Sequence, residues 1–334
     1  MVATTFDMRH SKPKALVVTD VRYWRRMMGS QQRINSLVRF LDENAALTVF
    51  FVGNLYEEDR KLLSDSKVHL ITSSDPQLRT HRHRADRLFE ARQSMQRAFH
   101  RYAQSLGWRR SPTIADYVSS QTLAALRKVF ATQSYDLVIF EYLRLAYLLR
   151  AVRSGTSAPY CIIDTHDVSS QRNASFRLAR ATSDLAVRPN QERRLLAGFD
   201  EVAAIQLDDV AQFEAMGVSR VTHVPHAVSY QRLPEPAASP LRLGFLASDM
   251  ASNVSGIRWF IATFAEAVRR LGATLIIAGN VSKHLDSFRS DTVRLLGPVS
   301  ALEDFYCQVH ATINPVDFGG GLKIKSIESL AYGR

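Results

Sequence analysis

Short runs of β-branched and other apolar residues alternate with longer stretches of helical periodicity along the whole chain. Such runs, bounded by turn formers, read as strands, and the intervals read as amphipathic helices; together they predict strand–helix–strand units around a parallel sheet. In the first part of the chain the strands fall at 14–19, 47–53, 68–72, 136–140, 160–164 and 201–205, with a long helical stretch across 76–132. The segment 233–240, LPEPAASP, carries three prolines and no hydrophobic period, so it reads as a linker. Beyond it the alternation resumes, with strands at 242–247, 273–278, 292–296 and 311–314 and helices across 254–271, 281–289, 300–308 and from 322 onward. The pattern predicts an α/β protein with Rossmann-like domains at 1–232 and 241–334. Two doubly wound domains facing each other bring the carboxyl ends of both sheets to one cleft, so chemistry is expected in the strand-to-helix loops.

Composition agrees with two cores: 334 residues at 46% hydrophobic can bury both. No apolar run reaches the roughly 20 residues that a membrane span needs, and the one over 135–152 is broken by Asp136, Glu141, Arg144 and Arg150. The first residues show no signal-peptide core, which points to the cytoplasm. Cys161 and Cys307, each beside an apolar run, are expected to be buried free thiols. The net charge of +11 is carried mainly by the first part of the chain. Between Arg79 and Arg110 nine arginines are interleaved with Leu88, Phe89, Met95, Phe99, Tyr102 and Trp108. This segment reads as a basic amphipathic helix, either a solvated face or a surface for an anionic partner such as lipid headgroups or a phosphorylated acceptor. The second alternative would hold the protein at the inner face of the membrane. No zinc-finger spacing, RNP-like motif or helix-turn-helix pattern accompanies the charge, so nucleic acid is not expected.

The most informative stretch is 314–334, NPVDFGGGLKIKSIESLAYGR. Gly319, Gly320 and Gly321 follow a short strand and lead into a helix, where backbone can approach a ligand closely and free N–H groups favour an anion such as a diphosphate. Lys323 sits where a cation is poor for the helix dipole but useful beside a phosphate. Glu328 falls among Ile324, Ile327 and Ala331 on the buried face; it needs partners there, supplied by ribose hydroxyls or, alternatively, by a salt bridge to Lys325.

These residues resemble the donor signature of the GT-B glycosyltransferases of family 4, the glycosyl transferases group 1. That signature runs from a proline after a strand through a glycine-rich turn into a helix ending Glu-Ala-Met-Ala-x-Gly; Pro315, Gly319 to Gly321, Glu328, Ala331 and Gly333 stand at matching places. The commoner form has two glutamates, and the first would fall at Gly320; some relatives carry Gly-Gly-Gly-x-Lys-x-Lys, as here. The loop with Arg26, Gly29 and Ser30 resembles the family's acceptor and phosphate loop. The stretch CIIDTHD, 161–167, resembles the place of its first-domain histidine, and 192–206 with 224–228 its path into the hinge, with His226 and Ala227 in place of Asn-Gly. Residues 244–249 with Asn253 match the loop that opens the second domain, without the family's usual Arg and Lys there, so Lys323 or Lys325 would supply the charge.

The resemblance implies transfer of a hexose from a nucleoside-diphosphate sugar to an acceptor hydroxyl, with retention of configuration, in polysaccharide or glycolipid assembly. His166 and Asp167 would stand beside the transferred sugar; Asp164 and Glu141, also at strand ends, could equally be helix caps. Gly319, Gly320, Gly321, Lys323, Lys325, Glu328 and Asn253 would bind the donor, and Gly29 and Ser30 would form the acceptor or phosphate loop. No Asp-x-Asp motif is present, so neither metal nor cofactor is expected. Two alternatives use the same architecture: a nucleotide-sugar epimerase, and an inactive sugar-nucleotide-binding protein. Gly333 stands where a helix cap belongs, and such a helix is normally followed by another parallel strand. The chain is therefore expected to stop before its second domain is complete, with weak or no transferase activity.

Overall fold

A computed structural model of the chain describes residues 12–78, 111–155 and 158–334, with isolated positions between 91 and 102. The nine arginines of the basic segment lie outside the described residues. Among the described residues, no helix is long and apolar enough to cross a membrane.

The first sheet has seven parallel strands: β1 (Lys14–Thr19), β2 (Ala46–Phe51), β3 (His69–Thr72), β4 (Leu137–Glu141), β5 (Tyr160–Asp164), β6 (Glu201–Ala204) and β7 (Val221–His223), in the order β3-β2-β1-β4-β5-β6-β7. The second has four: β8 (Arg242–Leu246), β9 (Thr274–Ala278), β10 (Val293–Gly297) and β11 (Ala311–Thr312), in the order β10-β9-β8-β11, all parallel. The order reverses between β1 and β4 in one sheet and between β8 and β11 in the other. Loops leaving the carboxyl ends of strands at such a reversal diverge to opposite faces and open a crevice.

Central parallel strands are covered on both faces and so read as continuous apolar runs. In β1 every residue after Lys14 is buried. Leu16, Val18, Phe50, Phe140 and Ile163 lie in one core cluster, and Val17, Ile34, Val49 and Phe51 in another. The second sheet repeats this arrangement at smaller scale, with Phe245, Ile257, Leu275 and Ile277 in one cluster and Ile276, Ala278, Phe305 and Tyr306 in the other.

Several expectations are corrected in detail. The stretch 76–132 is not one helix: Ile114–Tyr117 and Ser120–Thr132 are separate, because Thr113 with Asp116 forms a capping box and Ser119 Oγ accepts from Thr122 N–H. The predicted helix at 281–289 is two 3-10 turns, Asn280–His284 and Asp286–Phe288. The short edge strand β7 was not anticipated; Val-Thr-His is too short to show a period. Cys161 is buried, and burial pushes its thiol up to about 11, but Cys307 is exposed because it follows the last turn of the Leu302–Tyr306 helix on the side away from Phe305 and Tyr306. Between β7 and β8 the chain has no regular structure, and Gln231 and Leu233 donate backbone hydrogen bonds to Ala331 and Tyr332 of the second domain.

Candidate active site

A cleft of about 220 Å³ lies where the two crevices face each other. It is lined by Gly29, Ser30, His166, Asp167, Asn253, Gly319, Gly320, Gly321, Lys323, Lys325 and Glu328. The structure thus brings together every residue that the sequence nominated for donor, acceptor or catalysis. Three helices begin at the cleft: α1 (Gly29–Asn44), α2 (Ser169–Leu178) after β5, and α3 (Ile324–Ala331) after β11.

The wall belonging to the first domain is a set of closed charge pairs. His166 Nε2 lies 2.7 Å from Glu141 Oε2, and both residues are buried. Tyr142 stacks on the imidazole at 4.0 Å between centroids, and the Arg144 guanidinium covers Tyr142 at 3.9 Å while pairing with Asp20 at 2.7 Å. Tyr142 and His166 end adjacent strands and both adopt the left-handed region, with φ of 70° and 61°. Non-glycine residues there carry strain of about 1 kcal/mol or more, and such strain gathers at functional sites. Ser30, at the start of α1, lines the cleft together with Tyr142. Asp164 accepts two hydrogen bonds from Arg33, at 2.7 and 2.8 Å, and Arg33 also donates to Val224 O, where the chain leaves the first sheet. Burial and the nearby Asp164 carboxylate hold the Glu141 carboxyl above its ordinary range, opposed by His166 and Arg33. Asp167 accepts from Arg172 and from Ser169 Oγ. The first turn of α2 is fixed by Glu192, which accepts from the N–H groups of Ser169 and Ser170.

The wall belonging to the second domain is different. Lys325 Nζ donates to Asn253 Oδ1 at 2.6 Å and sits 4.8 Å from the Phe245 ring centroid. Burial pushes its ammonium down to about 7, with Lys323 adding to the shift. The Lys323 ammonium is also lowered, chiefly by burial. Among the described residues no carboxylate reaches ion-pair distance of either lysine. Glu328 is buried, takes no side-chain hydrogen bond among the described residues, and burial alone pushes its carboxyl up to about 7. The alternative of a Glu328–Lys325 salt bridge is overturned, since Lys325 turns to Asn253 instead. Asn253 is held in turn by Ser248, to which its amide donates. In the glycine loop, Gly319 N–H donates to Ser175 Oγ of α2, and the N–H groups of Gly320 and Gly321 meet no acceptor among the described residues.

The walls meet at close range. A Cβ on Gly29 would lie 2.7 Å from Ile324 Cβ, and one on Gly321 2.4 Å from the His166 carbonyl oxygen. Phe318 packs edge-on against Phe176 at 5.1 Å. Glu141 and Asp164, which could have been helix caps, instead hold His166 and Arg33. Glu141, Asp164 and His166 place three ligand atoms within 4.8 Å of one another, but Arg33 already neutralises Asp164, so the cluster is held together by its own charges. Sequence reading missed Arg33, Tyr142 and Arg172. Only Tyr142, directly after a strand-end glutamate, carried a local signal. His226 is buried beside this cluster with no hydrogen bond to either ring nitrogen, and burial pushes its pKa down to about 4.

Residues 240–334 match the family model described as glycosyl transferases group 1. No curated protein matches the chain by sequence. Among solved structures, sucrose-phosphate synthase from Thermosynechococcus elongatus is similar with a TM-score of 0.63 at 11% identity, over 96% of this chain and 79% of that one. A TarM variant from S. aureus, in complex with fondaparinux, α-GlcNAc-glycerol and UDP, gives 0.65 at 9% identity, over 96% and 84%. A putative UDP-N-acetylglucosamine 2-epimerase from Listeria monocytogenes gives 0.50 at 9% identity, over 90% and 74%. The fold is GT-B: two Rossmann-like domains facing a central cleft, with the second domain carrying the group 1 glycosyltransferase pattern.

Proposed function

We propose that the protein is a glycosyltransferase that moves a hexose from a nucleoside-diphosphate sugar to an acceptor hydroxyl, with retention of configuration and without a metal ion. The observation that carries this reading is the second-domain wall, where the described residues offer two half-buried lysines without a carboxylate, two free backbone N–H groups in the loop that leads into a helix, and a buried glutamate without a donor. A diphosphate matches the first two, since N–H groups at a helix start and cations stabilise developing negative charge on the leaving group. A ribose supplies hydroxyl donors to Glu328. The hexose would then lie between the glycine loop and His166, whose ring is held by Glu141 and Tyr142. His166 and Asp167 would orient the sugar and polarise the reacting centre, and the acceptor would enter past Gly29 and Ser30. The basic segment 79–110 supports an anionic or lipid-linked acceptor at a membrane surface, as in polysaccharide or glycolipid assembly. That part of the reading predicts salt-sensitive binding to anionic vesicles, weakened by Arg→Gln changes at 84, 87 and 92.

The direct test is a thermal-shift screen of UDP- and GDP-hexoses in the presence of EDTA. A donor at 100 times its dissociation constant should stabilise the protein by about 2.7 kcal/mol. If no donor shifts the transition, the reading fails. An epimerase is the second reading, favoured by the Listeria likeness. Incubation with UDP-N-acetylglucosamine and no acceptor separates the two, since only an epimerase would interconvert the sugar.

A further inference from the structure

We propose, on the basis of the glycosyltransferase reading, that Arg172 contacts the transferred sugar and sets which hexose is accepted. A Cβ on Gly320 would lie 2.8 Å from Arg172 Cβ, so the loop leaves no room for a side chain where it faces α2. A sugar attached to a diphosphate beside Lys323 and Lys325 therefore meets backbone rather than side chains from Gly319 to Gly321. The first domain lines the cleft with the polar side chains of Ser30, Gln32, Tyr142, His166, Asp167 and Arg172, and Arg172 is the one against which Gly320 packs.

Arg172 has hydrogen-bonding capacity to give. Its NH1 donates to Asp167 at 3.2 Å and to Asp184 at 2.9 Å. Its NH2 reaches only the thioether sulfur of Met250, at 3.9 Å, and its Nε meets no acceptor among the described residues. A guanidinium has five N–H donors, and a buried one with donors left over is costly unless a ligand takes them. Two carboxylates already balance its charge, so the partner that fits is neutral: hydroxyl oxygens of a hexose rather than the carboxylate of a uronic acid. A site built to hydrogen-bond a hydroxyl rejects the analogue that misplaces it far more strongly than an apolar pocket does.

The test compares UDP, UDP-glucose, UDP-galactose and UDP-glucuronic acid, or the GDP series if the screen favours guanine, in wild type, Arg172→Lys and Gly320→Ala. Wild type should discriminate between the two epimers and disfavour the glucuronic acid. In Arg172→Lys the ratio of kcat/KM between the epimers should collapse by about tenfold or more, while the affinity for the diphosphate without sugar changes less than about threefold. Gly320→Ala keeps every charge and displaces Arg172 through its Cβ, so it should reproduce the change in ratio even if Arg172→Lys folds poorly. An unchanged epimer ratio in both variants, or an equal loss for the diphosphate and the sugar nucleotides, overturns the assignment and leaves the glycosyltransferase reading in place. Failure of wild type to bind any sugar nucleotide overturns both.

Discussion

The two walls of the cleft solve opposite electrostatic problems. On the first-domain wall each buried charge has found its partner within the chain: Glu141 with His166, Asp164 with Arg33, Asp167 with Arg172, Asp20 with Arg144. On the second-domain wall Lys323 and Lys325 are half-buried and Glu328 is buried, and among the described residues none of the three has an ion-pair partner. A buried pair costs desolvation but fixes geometry, whereas a buried unpaired charge costs stability until a ligand compensates it. The first wall is a rigid template, and the second holds its free energy in reserve for the donor.

The two walls should respond to loss of a charge with opposite sign in stability. Asp164→Asn leaves the Arg33 guanidinium buried without its carboxylate, and breaking a buried pair from one side costs about 3–5 kcal/mol. Calorimetric unfolding should show that loss. Lys325→Met removes an ammonium that among the described residues has Asn253 and the Phe245 ring but no carboxylate as partners, and the apo protein should melt at a higher temperature. If both substitutions destabilise to a similar degree, the walls do not differ in the way described.

The next effect is on turnover. His166→Ala removes the ring that Glu141 and Tyr142 hold in a strained backbone position, and should lower kcat by about 10²- to 10³-fold while donor affinity stays within about threefold. Contacts that act in the transition state appear in kcat, and contacts that only hold the donor appear in KM. Near-normal kcat would make the strained His166 backbone a structural feature.

Lys325→Met should show the complementary split, with donor affinity falling by about tenfold, about 1.4 kcal/mol, and single-turnover chemistry at saturating donor changing less. Titration calorimetry with the donor identified in the thermal-shift screen reads the first, and rapid quench the second. A variant that is more stable and binds more weakly would mark the lysine as stability given up for ligand binding.

The contrast between the walls also explains what the sequence made legible. The second-wall residues sit within one short stretch, Gly319 to Glu328, where a glycine run, two lysines and a glutamate on an apolar helix face violate local rules together; such violations are visible in one dimension. The first wall is assembled from β4, β5, α1 and α2, far apart in sequence. Arg33 lies mid-helix on α1 and looks like an ordinary surface arginine until the fold places it against Asp164, 131 positions away. Arg172 likewise has its meaning only because Gly320 packs on it. His166 and Asp167 were visible because they end a strand, but Glu141, which holds His166, could not be told from a helix cap. The strands and their parallel pairing followed from the alternation of elements, since parallel sheets bury both faces and leave continuous apolar runs. The edge strand Val221–His223 was the place where that signal was too short, whereas the strand expected at 311–314 is present as Ala311–Thr312.

The smallest and most specific effect is on protons. Burial pushes Lys325 down to about 7 and Glu328 up to about 7, whereas in the unfolded chain they titrate near 10.4 and 4.3. Between pH 7 and about 10 the unfolded lysine holds a proton that the folded one has lost, so stability rises with pH there, and the cost of burying the lysine is full below pH 7. Between about pH 4.3 and 7 the folded glutamate holds a proton that the unfolded one has lost, so stability falls as pH rises, and its cost is full above pH 7. The second wall therefore contributes least to stability near neutrality. A diphosphate beside Lys325 favours the ammonium, and hydroxyl donors at Glu328 favour the carboxylate. Donor binding should then take up a proton at pH 8 and release one at pH 6, with affinity highest near pH 7. Calorimetry in buffers of different ionisation enthalpy counts these protons. Lys325→Met should abolish the uptake at pH 8 and leave the release at pH 6 intact. A proton count near zero at both pH values in the wild-type protein would mean that the donor does not reach these two groups, and that their burial is a property of the fold alone.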